Sequence, residues 1–75
     1  MPTAYVLLNT DIGAEAEVLG KLKRMEGVQE AFRLLGVYDI IARVKAESMD
    51  ALTHIITKLH ISKVHSKLTI VVTEA

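Results

Sequence analysis

Residues 30–45, EAFRLLGVYDIIARVK, constrain the fold of this chain most. They read as two apolar strands joined by the turn Gly36-Val37-Tyr38-Asp39. With side chains alternating, Val28, Glu30, Phe32 and Leu34 share one side of the first strand. Ile40, Ala42 and Val44 share one side of the second, with Ile41 and Arg43 opposite. Gly36 admits backbone angles that a side chain would penalise, and Asp39 can bond its own loop backbone. The turn also gathers an aromatic ring, a carboxylate and free backbone amides, a combination suited to a small zwitterion.

The segments around this hairpin fix its setting. Residues 4–9 form a short apolar run through Tyr5-Val6-Leu7-Leu8, as expected of a buried strand. Thr10 or Asp11 is placed to cap a helix with Glu15 and Glu17 early and Lys21, Lys23 and Arg24 late. Val18, Leu19, Leu22 and Met25 make its apolar stripe, and Gly27 stops it. After Lys45 the helical period returns: Ser48 is the expected cap and Leu52, Ile55, Ile56 and Leu59 the stripe. Residues 60–63 link to a last strand over 64–73. There Val64, Ser66, Leu68, Ile70 and Val72 alternate with His65, Lys67, Thr69 and Val71.

The order is βαββαβ. Its halves match at an offset of 36 residues: Val6 on Ala42, Leu8 on Val44, Leu19 on Ile55, Met25 on Ile61, Val28 on Val64. The expected architecture is α+β and ferredoxin-like, a four-stranded antiparallel sheet with two helices on one face. Residues 1–75 are expected to form a single domain. So short a chain buries only about 60–65% of its unfolded surface. It has no cysteine with which to add disulfides. Four strands are apolar on both parities, so the helix-free face is expected to pack on another sheet, most economically that of a second copy.

Composition narrows function. Nine Lys or Arg balance nine Asp or Glu, which argues against direct nucleic-acid binding. With two Tyr, one Phe and no Trp, the chain lacks the exposed aromatics of an RNA-recognition sheet. No apolar run approaches the roughly 20 residues of a membrane span, and the start has no signal-peptide pattern. A cytoplasmic protein is expected. His54 and His60 are six apart, off a common helical face, and no Cys joins them, so no metal site is expected. No nucleophile–base set, Gly-rich phosphate loop or paired carboxylates point to catalysis, and no cofactor is implied.

With Gly36-Val37-Tyr38-Asp39-Ile40 in the hairpin turn, this order resembles the effector domain of the Lrp/AsnC regulators, also called RAM. Met25-Glu26-Gly27-Val28, Ile61-Ser62-Lys63-Val64 and residues 65–72, HSKLTIVV, fit the same pattern, so the resemblance covers nearly the whole chain. It implies a non-enzymatic, amino-acid-binding module forming a sheet-to-sheet homodimer, a dimeric α+β barrel, often as tetramers of dimers. It implies an amino-acid effector at protomer interfaces. Gly36, Val37 and Tyr38 would offer amides to its carboxylate, with Tyr38 also walling the pocket. Asp39 would receive the ammonium and Thr69 would add a hydroxyl. Read by residue type alone, Asp39 is a turn residue, Tyr38 a packing ring and Thr69 an ordinary strand threonine.

Two departures stand out. The chain carries no helix-turn-helix domain, which suggests mixed assembly with a full-length regulator. Lys67 stands where the family often has threonine; it could block the pocket, retune it or pair with a carboxylate. The alternatives are a small cofactor-free enzyme of the dimeric α+β barrel kind and a purely structural oligomeriser.

Overall fold

The computed structural model describes residues 1–73. The elements are β1 (Thr3–Thr10), α1 (Glu15–Lys23), β2 (Val28–Arg33), β3 (Ile40–Lys45), α2 (Met49–Lys58) and β4 (Val64–Val72). The strands form one antiparallel sheet in the order β2-β3-β1-β4. This is the ferredoxin-like arrangement that the strand and helix periods predict.

Both helices lie on the same face of the sheet, and side-chain alternation decides what they cover. Ala4, Val6 and Leu8 of β1 and Ile40, Ala42 and Val44 of β3 are fully buried beneath Val18 and Leu22 of α1 and Leu52 and Leu59 of α2. Leu19, Met25, Ile55 and Ile56 pack at the margin, so both predicted stripes face the core. Ser48 caps α2 as expected, its Oγ accepting the Ala51 N–H at 3.1 Å.

The first helix starts differently from the expectation. Neither Thr10 nor Asp11 caps it: Ala14 occupies the cap position with no side-chain bond. Thr10 is instead the last, buried residue of β1. Asp11, Ile12 and Gly13 form a turn, with Gly13 at φ +86° and the Asp11 carbonyl accepting the Ala14 N–H at 3.0 Å. Turning the chain off the strand leaves no side chain in reach of the helix end.

The hairpin also differs in detail. β2 ends at Arg33, and residues 34–39 form a longer loop closed by the Leu34 N–H on the Asp39 carbonyl at 2.8 Å. Val28 does not share a face with Glu30 and Phe32. Opposite it is Val44, opposite Glu30 is Arg43, and Gln29 is skipped in a bulge. An extra residue reverses the alternation. Val28 therefore packs on the core, while Phe32 faces the other way.

A second bulge repeats the first. Thr10 lies opposite Val64 and Asn9 opposite Ser66, so His65 is skipped. Val64 is thereby turned onto the core, away from the face of Ser66, Leu68, Ile70 and Val72. Val28 and Val64, and Gln29 and His65, keep the 36-residue offset seen in the sequence. Between β1 and β3 the match is two residues shorter: Thr10 and Val44 take equivalent places opposite the bulges. Val6 and Ala42, aligned in the sequence, are in fact direct ladder partners.

Just before each bulge the backbone turns left-handed, at Gly27 (φ +92°) and Lys63 (φ 72°). The two make the same bond: Gly27 and Lys63 carbonyls accept the Lys45 and Asp11 N–H groups, each at 2.9 Å. Only one place requires glycine. A Cβ on Gly27 would run into the Ile55 side chain. Lys63 is free to extend outward, and its Nζ reaches Glu17 Oε1 at 2.8 Å. This hydrogen bond, and then the charge behind it, hold the Glu17 carboxyl below its usual pKa and the Lys63 ammonium above its own. The pair is exposed, so water screens most of its value.

Gly27→Ala is expected to destabilise the fold by about 2–4 kcal/mol, combining left-handed backbone and overpacking costs. Lys63→Gly, which relieves the same backbone cost and loses only an exposed ion pair, should be neutral or slightly stabilising. Urea unfolding of both variants checks this contrast. The Glu17–Lys63 contribution should hold from neutral pH down to the ordinary carboxylate range and vanish as Glu17 protonates below it. The Glu17→Gln variant and the parent chain should therefore converge in stability at low pH.

Candidate functional site

The loop over 34–39 emerges at the end of the sheet where β1 also ends. Its base is fixed and its tip is free. At the base, the Asp39 N–H donates to the Leu8 carbonyl at 2.9 Å. Asp39 Oδ2 accepts the Thr10 N–H at 2.9 Å. The carboxylate thus bonds the neighbouring strand, and not its own loop as the turn chemistry suggests. A carboxylate that accepts a backbone N–H contributes more than a neutral pair would. At the tip, Leu35 is 106% exposed and Val37 85% exposed, and Gly36 has open space around it. Tyr38 is half-buried.

Two further groups finish this end of the sheet. Ile12, at the turn after β1, is fully exposed. His65, the skipped residue of the second bulge, directs Nε2 to the Thr10 carbonyl at 2.8 Å and lies 3.7 Å from Asp11 Oδ1. Thr10 is therefore held through its N–H by Asp39 and through its carbonyl by His65. Its buried Oγ1 has no partner among the described residues.

Thr69 lies elsewhere. It stands opposite Val6 in the ladder, on the helix-covered side of edge strand β4. Val6 and Thr10 are about 13 Å apart along the strand at ~3.3 Å per residue. Within one chain, the loop and Thr69 do not meet. Nor does Lys67 turn toward the loop: its Nζ donates to the Ile56 carbonyl at 3.1 Å, near the negative end of α2. The more voluminous hollows lie on the helix side at the opposite end of the sheet. One of about 370 Å³ is lined by Met25, Glu26, Ala51, His54, Ile55 and Lys58.

The other face of the sheet is bare. Tyr5, Leu7, Phe32, Ile41, Leu68 and Ile70 lie on it, and Phe32 is 56% and Ile70 50% exposed. Sequence reasoning missed the polar pair there, Arg43 and Glu30, which are ladder partners with Nη2 3.5 Å from Oε1. The available signal was a pair of opposite charges at mid-strand positions, Glu30 in β2 and Arg43 in β3.

The family model for the Lrp/AsnC ligand binding domain matches residues 3–75. The chain belongs to this family. No match is found among curated protein sequences. Among solved structures, the hypothetical protein PHS023 from Pyrococcus horikoshii has a TM-score of 0.91 and 31% identity, over 100% of this chain and 93% of its own. FFRP-DM1 gives 0.90 and 32%, over 96% of this chain and 99% of its own. AsnC of E. coli gives 0.88 and 25%; the match takes 99% of this chain and 52% of AsnC. The Lrp/AsnC domain here therefore has similar structures both of its own length and of about twice that length. Among its described residues no helix is long and apolar enough to cross a membrane.

Asp39→Ala should cost about 1.5–3 kcal/mol through the lost bond to Thr10, measured by thermal and urea unfolding. Asp39→Asn, which keeps an acceptor oxygen there, should retain most of that stability.

Proposed function

We propose that this chain is a non-enzymatic, amino-acid-responsive assembly module of Lrp/AsnC type. One observation carries the reading: a domain of a ligand-binding regulatory family leaves one sheet face largely apolar and uncovered. A patch of this kind marks an interaction surface. Residues 1–75 act as one domain, and two copies stack through these faces as a homodimer in the cytoplasm.

Within that assembly, the effector is a small free amino acid. Amides of Gly36, Val37 and Tyr38 receive its carboxylate, Asp39 its ammonium, and the Tyr38 ring forms a wall. Asp39 Oδ2 is engaged by Thr10, which leaves Oδ1 for the ligand. Thr69 is too far away to act from the same chain, and it faces the helix side. A pocket using both groups is therefore completed between dimers, the loop end of one against the β4 edge of the next. The exposed Ile12, Leu35 and Val37 favour such a contact, since all three are apolar and cluster at the loop end. Ligand binding then drives tetramers of dimers by mass action. Through the same sheet face, the module can join a full-length Lrp/AsnC regulator and alter its assembly.

The test is a thermal-shift and light-scattering screen against the twenty amino acids. A rise in melting temperature with one or two of them, together with a larger particle, is expected. Asp39→Asn and Thr69→Ala should each abolish that response without unfolding the chain. A stable oligomer that answers to none of the twenty would make the module purely structural. Phe32→Asp should convert the dimer into a monomer in sedimentation velocity; a dimer that survives it is not built on this face.

A further inference from the structure

The bare sheet face is interrupted by charge. Arg43 of β3 stands between two ladder partners, Tyr5 on β1 and Glu30 on β2. Apolar side chains adjoin this row: Leu7, Phe32 and Ile41 follow along the strands, and Ile70 stands opposite Tyr5. The Arg43 and Glu30 side chains keep 35% and 51% of their surface exposed, so water now solvates them. Arg43 Nε is shut off from that water and has no acceptor among the described residues. The single contact to Glu30, at 3.5 Å, is long for a hydrogen bond.

A guanidinium carries five N–H donors and cannot shed its proton. Covered by a purely apolar sheet, it would be desolvated with one distant carboxylate to serve it, and such a burial is strongly unfavourable. A covering partner must therefore bring an acceptor to this row. A second copy does so by symmetry. A two-fold operation presents the same patch to itself, so one chain's Arg43 meets a surface carrying Glu30, and the reverse holds at once.

We propose that, in the sheet-to-sheet pair, Arg43 of each chain bonds Glu30 of the partner subunit, making a closed ring of four alternating charges. The occupant of this face is a second copy of the chain. The ring sets partner choice: an apolar sheet without an acid in this row leaves the Arg43 guanidinium with only its own distant Glu30 carboxylate, and is rejected. This rests on the sheet pairing proposed above and goes further, because apolar stacking alone would accept many sheets.

Complementary charge reversal tests it. Glu30→Arg and Arg43→Glu are prepared separately, with circular dichroism to confirm folding. Each alone places like charges across the pair, and its self-association should weaken about tenfold or more. Mixed in equal amounts, the two should form a heterodimer, read by native mass spectrometry, with affinity close to that of the parent dimer. The double variant Glu30→Arg/Arg43→Glu should self-associate like the parent chain. The milder pair, Glu30→Gln and Arg43→Gln, serves if a reversal unfolds; each should also weaken the dimer. Single variants that dimerise as well as the parent, or a mixture no tighter than either alone, would overturn the ring while leaving sheet pairing intact. A parent chain that sediments as a monomer would overturn the pairing itself.

Discussion

The structure depends on burying one face of a four-stranded sheet with only two helices. The core lies wholly on that side, built from alternate residues of β1 and β3 and the stripes of α1 and α2. The other side has the same strands but no cover. Alternation makes this unavoidable: a residue added to one face is a residue withheld from the other. A chain that stood alone would be expected to carry polar groups on the second face. This one carries Tyr5, Leu7, Phe32, Ile41, Leu68 and Ile70.

The internal two-fold is more exact in the backbone than in the side chains. Each half has a left-handed residue, a carbonyl bond to the strand beyond, and a bulge one step later. Gly27 and Lys63 occupy the same backbone geometry under different pressures. At Gly27 the Ile55 side chain fills the space a Cβ would need; at Lys63 that space is open and the side chain pairs with Glu17. The halves diverge as well at their loop ends, where the skipped residue is Gln29 in one and His65 in the other. Only His65 is used, to hold the Thr10 carbonyl.

Much of this was legible in the sequence, for definite reasons. Periodicity gave the helices because the stripes of Val18 and Leu22, and of Leu52 and Leu59, are what the core consumes. It gave the strand order because the weak repeat and short links leave few alternatives. It misplaced Val28 and Val64 because a bulge shifts parity without leaving a mark in the hydrophobic pattern. It misjudged the start of α1 because Thr10, by type a good cap, is claimed by β1. Asp39 was recognised as a turn-maker, but its partner, Thr10, is 29 residues away. The resemblance assigned the loop and Thr69 to one ligand at a protomer interface; alternation puts Thr69 on the helix side, far from the loop of its own chain. No spacing rule within one chain reveals that separation.

The register of β1 with β4 has one more consequence. Thr3 is the ladder partner of Val72, so the first and last strand residues lie side by side. Both are at the end of the sheet away from Asp39 and the hairpin tip. A fluorophore attached at Thr3 or at Val72 would sit at that shared pole, with the 34–39 loop at the antipode. Labels at these two positions can thus be exchanged without crowding the loop. Two reporters on one chain, at Thr3 and at Val72, would start only a strand spacing apart, which makes this pair of positions a poor intramolecular distance gauge and a good site for counting subunits.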